Sequence, residues 1–418
     1  MGLRIPPIKV KYLIENPNVI REIMNLIEEV KKEPTKFPRK LIYLAGGWPQ
    51  DPPPPLIKKI MTNIVEDEEK FLRTVQYGPT RGLTETLEAI VLYEEEMFNR
   101  RISEENIFMG NGSTELTFSL LNTILDDDSE IILTRPHYLN YLRQIILATN
   151  PSIKIKYWDL VQDYEYDPSL DKLQNLITNK TSLILLTSPG NPDAQILSDE
   201  TYKGIIEIAK DKGIFVVTDI AYRGFWYYRK PQYFSKDIEE NEIIICTFSK
   251  ELRIPGLRIA YILTNNKEIL RRLEVIEQTI NLCPNNFSQK IIAELLGNKE
   301  NIKIVSEFIE KGRLLYKRIS EFTYENIKNL EGIYTLKPEA GFYVFFNHEK
   351  IERNSKKFCG DLLLKKQVAL APGYDFGLDG WTRLSFSSAV LNPEIIKEGI
   401  ARINEFITEE KQIKEILE

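Results

Sequence analysis

Between residues 106 and 263, seven short apolar runs rich in β-branched residues alternate with longer segments of helical periodicity. The runs are NIFMG (106–110), EIILT (130–134), IKIKYW (153–158), SLILLT (182–187), IFVVT (214–218), EIIICT (242–247) and LRIAYIL (257–263). A strand that is apolar nearly throughout must be covered on both faces, which is the condition of a parallel sheet sandwiched between crossover helices. The segments STELTFSLLNTIL and SDETYKGIIEIAKDKG, with capping residues at their starts and Lys-Gly at the end of the second, supply such helices. The fold class expected is therefore α/β, a mainly parallel sheet covered by helices on both faces, with a smaller α+β domain. The second domain follows from the change after Leu263 to long amphipathic helix and then, from Tyr334, to mixed strand and helix that includes GFYVFF and TRLSF. The stretch before the proline run Pro52 to Pro55 reads as helical and then extended, with no sheet of its own, packed on the smaller domain. The prolines read as a stiff extended connector. The division expected is 1–56, 57–300 and 301–418.

Composition narrows the function. With 418 residues, 43% hydrophobic and 28% charged, the chain is long and apolar enough for a large buried core. Lys and Arg total 55 against 61 Asp and Glu, a net charge of −6, which disfavours nucleic acid as a partner. The three cysteines, Cys246, Cys283 and Cys359, lack disulfide-framework, zinc or redox spacing, and no metal site is expected. No stretch approaches about eighteen consecutive apolar residues, so no membrane span is expected and a cytoplasmic location fits.

Ligands of open parallel sheets bind beyond the carboxyl ends of the strands, so the residues that follow the runs carry the chemistry. Asn111, Gly112, Ser113 and Thr114 close one run and open a helix, where backbone N–H groups and the helix dipole suit a phosphate; an ordinary capped turn fits them as well. Asn191 stands between Gly190 and Pro192, able to reach a ligand oxygen or simply to build a turn. Asp219 ends an apolar run with Tyr222 close behind, as a ligand's charge partner or as half of a structural salt bridge. Thr247, Ser249 and Lys250 follow a run and Gly256 and Arg258 precede the next, as a site of two cations and two hydroxyls or as a solvated basic loop. Together these loci hold an amine for a Schiff base, a carboxylate for a protonated ring nitrogen, donors for a ring oxygen and a phosphate cradle, the inventory for pyridoxal phosphate.

In this order the residues resemble the fold-type I aminotransferases, the aspartate aminotransferase superfamily, from about Tyr43 to Phe386. The most specific element is S-K-x-x-x-x-x-G-x-R, here Ser249, Lys250, Gly256 and Arg258. The resemblance implies that Lys250 forms the Schiff base, Asp219 pairs with the pyridine nitrogen, and Asn191 and Tyr222 donate to the ring's phenolic oxygen. It implies a phosphate cup of Asn111, Gly112, Ser113, Thr114, Thr247 and Arg258, with Tyr138 stacked on the ring. Tyr77, in QYGPTRG, matches a tyrosine that reaches the phosphate of a neighbouring subunit, so a homodimer is implied. Arg383, in GWTRLSF, matches the clamp on the substrate α-carboxylate, and Gly47 a backbone contact to the same group. Asp193 and Ala194 depart from the usual Thr-Gly, and Leu87 stands where an arginine is common.

The activity implied is transfer of an amino group from an L-amino acid to a 2-oxo acid. A carbon–sulfur lyase, a decarboxylase or an aminocyclopropane carboxylate synthase could use the same scaffold, and a ligand-sensing regulator is a rival of another class. Thr114 stands where some aspartate-preferring members carry a lysine, and Trp48 and Tyr138 lie near the expected substrate entrance. Apolar donors are therefore expected, with no strict need for a second carboxylate.

Overall fold

The computed structural model describes residues 8–417. Seven strands form the main sheet: β1 (Ile107–Gly110), β2 (Glu130–Arg135), β3 (Lys154–Asp159), β4 (Thr181–Thr187), β5 (Phe215–Asp219), β6 (Glu242–Thr247) and β7 (Ala260–Thr264). Their order is β1-β7-β6-β5-β4-β2-β3. From β6 through β3 every pairing is parallel, whereas β7 runs antiparallel to both its neighbours. β7 is also shorter than its apolar run, because Pro255–Leu257 form a helical turn.

The side-chain period of two decides the two cores. Ile184 and Leu186 of β4 pack on one side with Ile90, Tyr93 and Ile205 of the covering helices, while Leu183 and Leu185 pack on the other with Leu116, Leu120 and Tyr141. Register brings the ends of the strands into line. Thr187 lies opposite Asp219, Asp219 opposite Ile245, and Ala260 opposite both Thr247 and Gly110.

A second, four-stranded antiparallel sheet is built from β8 (Tyr334–Thr335), β9 (Tyr343–Asn347), β10 (Ala371–Pro372) and β11 (Trp381–Ser385), ordered β8-β9-β11-β10. Its core takes in Ile23, Ile27 and Val30 from helix α1 (Val19–Lys32). The stretch after α1 does have strand pairing, which corrects the expectation of none: Ile42–Tyr43 lie parallel to Val368–Ala369. The proline run likewise divides. Pro55 is the first residue of helix Pro55–Glu66, where its missing N–H costs nothing.

Two further helices matter for the site, α2 (Ser113–Ile124) and α3 (Lys299–Ile327). α3 serves both units: Ile302, Val305 and Ile309 join the core of the main sheet, and Tyr316, Ile319 and Ile327 that of the second.

Beneath the carboxyl edge lies a buried charge cluster. Arg223 pairs with Glu94 at 2.6 Å and with Glu251 at 3.3 Å, donates to the Tyr261 hydroxyl at 2.7 Å, and stacks 4.0 Å from the Phe98 ring centroid. Arg100 lies 3.7 Å from the other oxygen of Glu94. Burial pushes the Glu94 carboxyl up, but the two arginines outweigh it and hold the group below its usual range. We expect Arg223→Met to strand the buried Glu251 carboxylate, leave Glu94 to Arg100 and Tyr261, and lower stability by about 3–5 kcal/mol, read from the urea midpoint of the cofactor-free protein.

Candidate active site

A cavity of about 630 Å³ opens at the carboxyl ends of β4, β5 and β6 and is closed on the far side by Ala45–Trp48 and Arg383. It brings together Ser113, Thr114, Tyr138, Asn191, Asp219, Tyr222, Thr247, Ser249, Lys250, Arg258, Gly47 and Arg383. Three of the residues singled out from the sequence stand apart from its lining. Asn111 accepts the Asn285 N–H at its side-chain Oδ1 at 2.8 Å, Gly112 lies behind Arg258, and Tyr77 is 83% exposed outside the cavity.

Lys250 sits in the single turn Phe248–Glu251, whose start Thr247 caps by accepting from the Ser249 N–H at 3.2 Å. Its Nζ donates to the Gly47 carbonyl at 2.8 Å. Burial, then the charges of Arg383 and Arg258, push this amine down to about 8, while Asp219 opposes the shift. A lysine so placed is neutral, and therefore nucleophilic, in a large fraction of molecules near pH 8.

Asp219 ends β5 and is 7% exposed. Its carboxylate accepts from the Ala221 N–H at 2.9 Å and from the Tyr141 hydroxyl at 3.0 Å. Burial raises its pKa against those two bonds and the Lys250 charge, and no cation touches it among the described residues. Tyr141 was not legible as a site residue: it lies three positions beyond Tyr138 in the same helix-opening segment, and only the fold turns it under Asp219. Thr187 supports it from β4, with 2.9 Å between the two hydroxyls.

Arg383 lies on β11, 3% exposed. One terminal nitrogen donates to Asn191 Oδ1 at 2.7 Å and the other to the Ala45 carbonyl at 2.9 Å, while Nε has no partner. No carboxylate pairs with it among the described residues. Asn191 Nδ2 donates in turn to the Tyr222 hydroxyl at 3.1 Å, and Tyr343 of β9 stands 2.8 Å from that same hydroxyl. Burial raises the pKa of Tyr222 well above the usual phenol range. Ala194, at φ 57°, occupies the left-handed region where the usual glycine would be at ease, and burial pushes Asp193 up to about 7.

At the start of α2 the backbone of Gly112, at φ 96°, lets the Arg258 guanidinium lie directly against it: a Cβ there would come within 2.2 Å of Arg258 Nη2. With Ser113, Thr114, Thr247 and Ser249 around it, this is an anion cradle in which a cation meets a helix N-terminus. The cavity thus fits pyridoxal phosphate at three points. The cradle suits a phosphate, Asp219 lacks the positive partner that a protonated ring nitrogen provides, and Arg383 lacks the carboxylate that an amino acid brings.

Residues 40–403 match the model of the aminotransferase class I and II family. The chain belongs to that family. The family uses pyridoxal phosphate, and this member is a transaminase that moves an amino group between an amino acid and a 2-oxo acid. It is 28% identical over 374 residues to a Thermotoga maritima aspartate aminotransferase, covering 88% of this chain and 91% of the relative. The aromatic aminotransferase structure from Pyrococcus horikoshii superposes with a TM-score of 0.80 at 25% identity, over 89% of this chain and 96% of that one. A Thermus thermophilus aspartate aminotransferase structure shares the fold with a TM-score of 0.86 at 20% identity, over 96% and 100% of the two chains.

The depressed Lys250 pKa has a direct consequence in this transaminase. A neutral amine is the form that adds to an aldehyde, so reaction of Lys250 with pyridoxal phosphate in the cofactor-free protein should accelerate as pH rises through about 8 and level off above it. Stopped-flow absorbance after mixing with pyridoxal phosphate measures this. An ordinary lysine would keep accelerating to about pH 10.

Proposed function

We propose that Lys250 Nζ is the amine that binds the cofactor's aldehyde carbon and, once displaced by the incoming amino group, moves the proton on the substrate Cα. The observation that carries this reading is the pairing, in one cavity, of a lysine with its pKa lowered to about 8 and a buried carboxylate that no cation contacts among the described residues. Asp219 holds the proton on the ring nitrogen. Tyr222 and Asn191 serve the ring oxygen, and Tyr138 covers the ring face. Thr247, Ser249, Arg258 and the start of α2 from Gly112 to Thr114 hold the phosphate, with the Asn111 backbone behind them. Bound pyridoxal phosphate supplies an electron sink for the carbon that loses its proton. Arg383 takes the α-carboxylate as a two-pronged donor beside Gly47, which fixes the Cα bond to be broken.

The amino donor's side chain, in this reading, does not require a second carboxylate. In support, Ile20, Met24, Leu139 and Trp48 make an apolar wall on the substrate side, with Tyr43 and Tyr138 adding aromatic surface. The names of the relatives, one aspartate and one aromatic aminotransferase, span both kinds of donor. We expect Lys250→Ala to lose amino-acid-dependent change of the cofactor spectrum. In the wild type, phenylalanine, tyrosine and alanine as well as aspartate should form glutamate from 2-oxoglutarate. Efficient conversion of aspartate alone would refute the substrate reading.

A homodimer with shared sites belongs to the same proposal. In support, Tyr77 stands exposed among further exposed apolar side chains, Val75, Ile280 and Leu282. The Thr80 hydroxyl donates to the Leu282 carbonyl at 2.8 Å, which brings the two segments together. Mixing Lys250→Ala chains with Tyr77→Ala chains should restore activity, because one site of each hybrid then has both native residues; no gain on mixing would refute it. The division at 57–300 and 301–418, with the first 56 residues on the smaller unit, is supported by the joint packing of α1 and the second sheet. A cytoplasmic location is supported by the free state of all three cysteines.

A further inference from the structure

Tyr343 is not among the site residues read from the sequence and does not line the cavity, yet its hydroxyl is 2.8 Å from that of Tyr222. Hydrogen-bond capacity decides what that contact does. A phenol has one hydrogen to donate and two lone pairs that accept. Arg383 is a donor only, so the Asn191 atom 2.7 Å from its Nη1 is the carbonyl oxygen, and the Asn191 NH₂ must face Tyr222. Tyr222 thus accepts one bond from Asn191. We propose that Tyr343 is a positioning residue for this transaminase: by donating to Tyr222 it fills the second acceptor position of that oxygen, so that the single Tyr222 hydrogen is committed to an acceptor in the cavity.

That acceptor is the ring oxygen of the cofactor, so the inference rests on the role given to Tyr222 above. The direction of the Tyr343 bond follows from its surroundings. The Tyr343 hydroxyl has no other hydrogen-bond partner among the described residues, so its hydrogen is free for Tyr222. The Arg383 guanidinium lies 4.4 Å from the Tyr343 ring centroid, and a cation at a phenol's face makes its O–H a stronger donor. Burial pushes the Tyr343 pKa up and the Arg383 charge pulls it back. Arg383, Asn191, Tyr222 and Tyr343 therefore form a closed ring of contacts: Arg383 donates to Asn191, Asn191 and Tyr343 donate to Tyr222, and Arg383 lies over the Tyr343 ring.

A bond donated to the ring oxygen stabilises its anionic form and so lowers the pKa at which the visible spectrum of the bound cofactor titrates. In the substrate-free holoenzyme, Tyr343→Phe should raise that pKa by about half a unit, and should lower kcat/KM about three- to tenfold. Tyr222→Phe should raise it further. The double variant should titrate like Tyr222→Phe alone, because Tyr343 acts only through Tyr222. The ring of Tyr343 stays under Arg383 in the Phe variant; Tyr343→Leu, which also lacks the hydroxyl, carries the test if Tyr343→Phe does not fold. A Tyr343→Phe holoenzyme that titrates as the wild type, or shifts that add in the double variant, would overturn the inference. If Tyr222→Phe itself leaves the titration unmoved, the role of Tyr222 falls instead.

Discussion

Arg223 and Glu251 each follow by one residue a side chain that faces the cavity, Tyr222 in one case and Lys250 in the other. Their ion pair, out of reach of water, ties together the segments that leave the neighbouring strands β5 and β6. A parallel sheet brings such segments to one edge but leaves their relative height and rotation to the turns. Fixing these takes an interaction that is directional and costly to break in a medium of low dielectric, and a guanidinium between two carboxylates has both properties. Glu94, from the helix Thr84–Phe98, anchors the pair to the layer below. The net stability such a cluster adds is small once its desolvation is counted; what it adds is a single arrangement of the two residues above it.

The sheet and most of the site were legible in the sequence because both are written locally. An apolar run followed by a turn residue marks a strand end, and the residues at strand ends are the ones the cavity collects. The direction of β7 was not legible from its apolar composition. It follows from the linker 248–259, which is occupied by the turn holding Lys250 and the loop to Arg258 and leaves no room for a crossover helix. Nor was the small pairing of Ile42–Tyr43, two residues long with a partner more than three hundred positions away.

Tyr141 and Tyr343 were missed for a common reason. Each reads as an aromatic core residue, and each does pack as one, at 1% and 0% exposure. Only the polar tip distinguishes them, and what that tip meets depends on elements far apart in the chain, 78 positions for Tyr141 and Asp219 and 121 for Tyr343 and Tyr222. Asn111 is the reverse case. Its position in the motif was legible, but its side chain belongs to the Asn285 backbone.

Helix α1 contributes Ile20 and Met24 to the cavity wall, and its start is held from a distance: the Asp375 carboxylate accepts the Val19 N–H at 2.7 Å and the Ile20 N–H at 2.6 Å, while the adjoining Asn18 side chain makes no capping bond. Burial raises the Asp375 pKa and those two backbone bonds pull it back, so the clasp is strongest with the group ionised. The residues that α1 gives the cavity are thus fastened by a group that lies outside it. On the reading proposed above, substitutions at Ile20 and Met24 reshape the surface offered to the amino donor while the residues given to the cofactor stay as they are.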